Sequence, residues 1–259
     1  MDGIEKSNQR VINMEFKITV IDSATASRVL GNDTLNRYLV NKGFFRANDF
    51  KSLIELTVEG SVVLTTENRG DDYLLLAGVH GNELASQAAL TRLLYELYSD
   101  RYSLNHTLHI IPFLIPVSTS KNTRNYNGLD MNRNAFVDGP TKAVVDYGVN
   151  VGIKALCDCH STDPSLQPGE NSVFCSFRPQ KESYFLAKHI ADRTNSKLLP
   201  ISRAGSVLNG AVEDEANLRG IPSVTCEALE VNGKISDKSV LTSYNQVMSF
   251  LDYFDIIKR

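Results

Sequence analysis

No stretch of this 259-residue chain stays apolar long enough to cross a bilayer, which excludes a helical membrane span. The first ten residues are mostly polar and hold no apolar core of the kind a secretory signal needs, so the chain as given reads as cytoplasmic. Runs of Lys or Arg are missing too, and 27 basic against 30 acidic residues leave a formal net charge of −3. That balance gives no electrostatic case for nucleic acid or for an anionic membrane surface as a partner. Cysteine is scarce: Cys157, Cys159, Cys175 and Cys226 fall in or beside apolar runs, where buried reduced thiols are expected. Repeats, low-complexity tracts and linkers are absent as well, so one domain over residues 1–259 is expected, with residues 1–14 as a tail. What remains, 42% hydrophobic and 22% charged, suits a globular protein with a sizeable core.

The chain is organised around Leu74 to Glu83. Leu74 to Val79 is an apolar run of strand length ending at His80, and Gly81 permits a sharp turn behind it. From Leu84 the apolar residues Ala88, Leu90, Leu93, Leu94 and Leu97 recur at helical spacing to about Tyr98. His80 therefore stands at the C-terminal end of a strand and Glu83 at the mouth of a helix, the edge where open α/β sheets bind ligands. The two could reach one metal ion; each also has a plain reading, as a hydrogen-bonded strand-end histidine and as an acid favoured by the helix dipole.

Further strands are expected at Phe16–Ile21, Leu108–Ile115, Ile153–His160, Ser172–Phe177 and Ile221–Cys226, with a hairpin pairing Leu53–Val58 to Val62–Thr66 around Glu59-Gly60-Ser61. Helices are expected at Ser27–Leu39, Ser183–Arg193, Ala211–Leu218 and Lys238–Ile257, and a long polar loop over Ser118–Ala135. Alternating strands and helices predict an α/β fold: a mostly parallel mixed sheet sandwiched by helices in three layers.

Ionisable residues collect at strand ends. Asp158 and His160 share one face of their strand, Cys157 and Cys159 the other, and a third strand ends in Cys226-Glu227. His160 thus joins His80 and Glu83 as a candidate ligand, with Asp158 placed to orient it. Two histidines, one carboxylate and an open fourth position make a catalytic zinc pattern. A Cys/His zinc knuckle at Cys157–His160 needs a second close pair, and the other close pair, His106 and His109, lies at the wrong strand edge. His106, His109 and His189 default to surface or hydrogen-bonded roles. Arg124 and Arg133 in the asparagine-rich loop suit a grip on an anionic chain end, unless they are ordinary surface arginines.

These residues, in order, resemble the zinc carboxypeptidase superfamily: His80-x-x-Glu83, Asn132-Arg133 inside Gly-Leu-Asp-Met-Asn-Arg-Asn-Ala-Phe, His160, and the run from Ile221 to Glu227. His80-Gly81-Asn82-Glu83-Leu84 and Asp158-x-His160-Ser161-Thr162 lean toward the succinylglutamate desuccinylase/aspartoacylase branch. The segment from Thr123 to Asn134 leans toward murein-peptide amidases and carboxypeptidases. The resemblance implies one Zn²⁺ per chain held by His80, Glu83 and His160, with Glu227 as general base and Arg124 stabilising the oxyanion. It implies that Asn132 and Arg133 hold the substrate's terminal carboxylate. It depicts a metallocarboxypeptidase cleaving a C-terminal amide bond of a peptide or murein peptide, or alternatively an N-acyl-amino-acid deacylase. Self-association is left open.

Two departures stand out. The family's carboxypeptidases usually carry a Tyr about twenty residues before the catalytic Glu, and none lies between Tyr184 and Tyr244. Aspartoacylase-type enzymes carry an extra C-terminal domain, whereas only Ala228–Arg259 follow Glu227 in this sequence. The second departure predicts a more open cleft and a peptide-like substrate.

Overall fold

Eight strands build one sheet in the computed structural model, which describes residues 16–46 and 48–258; the expected tail at 1–14 lies outside the described residues. The strands are β1 Phe16–Asp22, β2 Ser61–Thr66, β3 Asp72–Ala77, β4 Thr107–Ile111, β5 Ala155–Thr162, β6 Ser172–Ser176, β7 Lys197–Ile201 and β8 Ser223–Leu229. Their order is β1-β2-β4-β3-β5-β8-β6-β7. The centre, β4-β3-β5-β8, is parallel, while β2 joins β4 and β6 joins β8 antiparallel. The helices are α1 Asp33–Asn41, α2 Asn48–Glu55, α3 Leu84–Tyr98, α4 Pro116–Lys121, α5 Pro140–Val151, α6 Glu182–Thr194, α7 Val212–Leu218 and α8 Asp237–Tyr253.

Leu75, Cys157 and Val224 belong to one core with Leu90 and Leu94 of α3, Ile190 of α6 and Phe250 of α8. Leu74, Leu76 and Leu156 belong to another with Val144 of α5 and Val212 and Ala216 of α7. Burial on both faces explains why the central strands read as unbroken apolar runs. The four cysteines are free and buried. Among the described residues no helix is long and apolar enough to cross a membrane.

Chain order sets where the site lies. After β3 the chain passes through α3 to β4 on one side of β3, while β5 sits on its other side. The crevice at the C-terminal ends of β3 and β5 is therefore the topological switch point, where such sheets bind ligands.

The expected hairpin does not form. Leu53–Val58 lies in α2 and a 3-10 turn at Leu56–Glu59, and β2 pairs with β1 and β4 instead. The buried residues Phe50, Ile54 and Thr57 explain the helix, being spaced as one helical face. Ser27–Leu39 is likewise not one helix. A 3-10 turn at Val29–Gly31 precedes α1, whose cap is the Asn32 side chain accepting from the amides of Thr34 and Leu35. The long loop opens with α4, and β4 ends at Ile111, short of Ile115. α5 and β7 were not expected from the sequence.

Candidate active site

Strand β3 ends at Ala77, earlier than expected, and the turn that follows carries both His80 and Glu83, the latter at the N-cap position of α3. Gly78, with φ at +78°, makes the left-handed turn. Gly81 serves a different need from the sharp turn expected of it: a Cβ there would lie 2.0 Å from the Ser118 carbonyl carbon in α4. The Gly81 amide also donates to the Thr123 carbonyl at 2.9 Å, pinning the arginine-bearing loop beside the turn. Gln87, buried one turn into α3, donates its Nε2 to the carbonyls of His80, Gly81 and Glu83 at 3.1, 3.3 and 3.1 Å.

Strand β5 brings His160 to the same place. His80 Nδ1 lies 2.7 Å from Glu83 Oε1, and His160 Nδ1 lies 2.7 Å from Glu83 Oε2. One donor atom from each of the three residues lies within 4.8 Å of the others, and all three residues are buried. The outer nitrogens are anchored: His80 Nε2 lies 2.9 Å from Asp130 Oδ1, and His160 Nε2 lies 2.9 Å from Asp158 Oδ2. A carboxylate on the far nitrogen is how metal-binding histidines are oriented. Two nitrogens and a carboxylate converging on one point, each histidine held from behind, fit a zinc ion.

The electrostatics agree. Burial works against charge on His160, yet the carboxylates of Asp158 and Glu83 hold its pKa well above the usual histidine range. His80 is raised against the same burial by Glu83 and Asp130. Glu83 resists burial because the two imidazoles hold its carboxyl well below the usual range. The cluster is built to keep positive charge beside Glu83.

Glu227 registers directly beside His160 across the parallel pair β5–β8. Its Oε2 is buried without a hydrogen-bond partner. Burial, and then the charge on Glu83, pushes its pKa up to about 8. A base poised near neutrality is what proton transfer to and from water requires.

The loop residues divide. Arg124, 42% exposed in its side chain, donates to Glu83 Oε1 at 3.0 Å and Asp130 Oδ2 at 3.1 Å. Asn132 is buried: its Oδ1 accepts from the Val212 amide at 3.0 Å and its Nδ2 lies 3.4 Å from His160 Nε2. Arg133 is exposed and donates to the Asn132 carbonyl at 2.6 Å. Asp130, Gln87 and Glu230 were missed from the sequence. Asp130 sits within the Asp-Met-Asn-Arg segment already singled out, so its signal was present; Glu230 and Gln87 carry no local signature.

Residues 69–141 match the family model of the succinylglutamate desuccinylase/aspartoacylase catalytic domain. No curated protein matches the sequence. Among solved structures, a succinylglutamate desuccinylase/aspartoacylase from Rhodobacter sphaeroides superposes with a TM-score of 0.60 at 17% identity, over 77% of this chain and 60% of that one. The cell shape determinant protein Csd4 from Helicobacter pylori gives 0.62 at 16% identity, over 76% and 55%. Bovine thrombin-activatable fibrinolysis inhibitor gives 0.58 at 14%, over 74% and 83%. The chain thus spans about three fifths of the first of these relatives. The fold is the zinc carboxypeptidase-like one, and within it residues 69–141 are similar to the succinylglutamate desuccinylase/aspartoacylase catalytic domain.

Proposed function

We propose that this chain is a zinc-dependent hydrolase that cleaves an amide bond next to a free carboxylate, acting as a metallocarboxypeptidase on a peptide or murein peptide. The observation that carries this reading is the buried, unpartnered Oε2 of Glu227 beside the His80, Glu83 and His160 cluster. Those three residues would hold the zinc. Bound there, it supplies Lewis-acid polarisation of a carbonyl and lowers the pKa of a water. Glu227 Oε2 would take a proton from the attacking water and pass it to the leaving nitrogen. Asp130 and Asp158 keep the imidazole rings oriented. Arg124 lies against Glu83, close enough to offer its guanidinium to developing negative charge. Arg133, exposed on the same loop, offers a fork for the substrate's carboxylate, while Asn132 supports the site from below through Val212 and His160.

A second reading, an N-acyl-amino-acid deacylase, is favoured by the family model matched over residues 69–141. It uses the same residues in the same roles. A panel of C-terminal dipeptides and N-acyl-amino acids, assayed with zinc-loaded protein, separates the two, since turnover of N-acyl-amino acids alone would reverse their order. For either reading, Glu227→Gln should bind zinc at unchanged stoichiometry and lose roughly 10²–10⁴-fold in kcat. Undiminished turnover by that variant would overturn the mechanism.

A further inference from the structure

Helix α3 begins at Leu84 with Glu83 at its N-cap, and an acidic N-cap residue ordinarily accepts from the second or third amide of its own helix. Glu83 does not cap its helix. Its Oε1 is taken by His80 Nδ1 and Arg124, and its Oε2 by His160 Nδ1 and the Ser161 amide at 3.1 Å. The amide it leaves without a local cap is that of Ala85, the second residue of α3, and a buried amide with no acceptor is costly. Ala85 N instead donates to Glu230 Oε2 at 2.9 Å, across 145 residues of sequence.

We propose that Glu230 is a positioning residue for the metal centre: reaching from the end of β8, it caps α3 in place of Glu83 and so leaves both Glu83 oxygens facing the two histidines. This rests on reading His80, Glu83 and His160 as metal ligands. The backbone supports it. The Glu230 amide donates to the Thr162 carbonyl at 2.8 Å, so one residue ties together the ends of β5 and β8 and the start of α3. Those three elements carry His160, Glu227 and Glu83. Glu230 is 2% exposed and its Oε1 is buried with no partner. A carboxylate in that state is a poor packing residue, since burying it costs more than burying an apolar side chain of its size. The bond to Ala85 is what distinguishes the position.

The test compares three variants of the full chain. Glu230→Gln keeps an acceptor oxygen, Glu230→Leu keeps bulk without one, and Glu230→Asp keeps the carboxyl group but withdraws it by one carbon. Cobalt(II) is titrated into metal-stripped protein, following its visible absorption, and hydrogen exchange is read at the first turn of α3. Glu230→Leu and Glu230→Asp should bind cobalt roughly 10–100-fold more weakly, with an altered ligand-field band, while Glu230→Gln stays within about threefold of wild type. Exchange at Ala85 should quicken in the first two only. Wild-type affinity and spectrum in Glu230→Asp, which is also decisive if Glu230→Leu does not fold, would overturn the proposal. So would a Glu230→Gln as weak as Glu230→Leu. If the wild type takes up no cobalt at all, the metal-centre reading fails instead, and the exchange rates alone then decide whether Glu230 is the cap.

Discussion

The inner nitrogens of His80 and His160 meet the two oxygens of one carboxylate, and that arrangement makes protons and a metal ion rivals for the same atoms. Both imidazoles are raised in pKa, His160 well above the usual range, because Asp158, Asp130 and Glu83 face them. A divalent ion must displace those protons to bind. The sign follows: zinc affinity should fall as pH falls, and because the pKa values are raised, the fall should already be under way above the ordinary histidine value of about 6.5. Calorimetric titration of zinc into metal-stripped protein, in two buffers of different ionisation enthalpy, should show protons released on binding at pH 7. Proton-neutral binding with a flat pH profile would mean that the ion sits elsewhere.

At the level of elements, α4 packs directly against the turn that carries His80 and Glu83. The Cβ that Ala would add at Gly81 meets the Ser118 carbonyl carbon at 2.0 Å, a backbone atom that no side-chain rotation can move aside. Gly81→Ala should therefore push α4 and the Arg124 loop away from the site, lowering stability by about 1–3 kcal/mol and weakening zinc binding together with it. Thermal unfolding and a chelator competition check both. The same elements show how far the sequence could be read. β3, α3, β5 and β8 were legible because their burial imposes unmistakable patterns: apolar runs for two-sided strands and 3.6-residue spacing for the helix. His80, Glu83, His160 and Glu227 stand out because they interrupt those patterns, although β5 and β8 run on past His160 and Glu227 to Thr162 and Leu229 instead of ending at them as expected, and His80 lies beyond the end of β3 at Ala77. Elsewhere, contacts distant in sequence decided. Leu53–Val58 looks β-like in composition, yet Phe50, Ile54 and Thr57 bury one helical face. β7 contains Pro200, which argues against a strand until its place at the sheet edge is known. α5 carries readable signals, Pro140 in its first turn and Gly152 at φ +80° just past its end. Glu230 was invisible because its partner Ala85 stands 145 residues away.

For the molecule as a whole, folding pulls Glu227 into the sheet beside His160 and leaves one of its oxygens without a partner. The carboxyl moves from an ordinary value near 4.5 in the unfolded chain to about 8 in the folded one, through burial and the nearby charge of Glu83. The folded state then binds a proton that the unfolded state has released, across the whole interval between those values. In metal-stripped protein the group's stabilising contribution is complete below pH 4.5, declines as pH rises, and is gone above about pH 8. Gln at this position is neutral at every pH, so Glu227→Gln should match wild type below about pH 4.5, gain on it steadily as pH rises toward 8, and keep a constant advantage above about pH 8. The gain should appear as a Tm higher by roughly 2–4 °C for each kcal/mol recovered. Thermal melts of both metal-stripped proteins from pH 5 to pH 9 measure it directly. A constant Tm difference across that range would mean that Glu227 is solvated in the folded protein, and the buried base on which the proposed hydrolase mechanism depends would be lost with it.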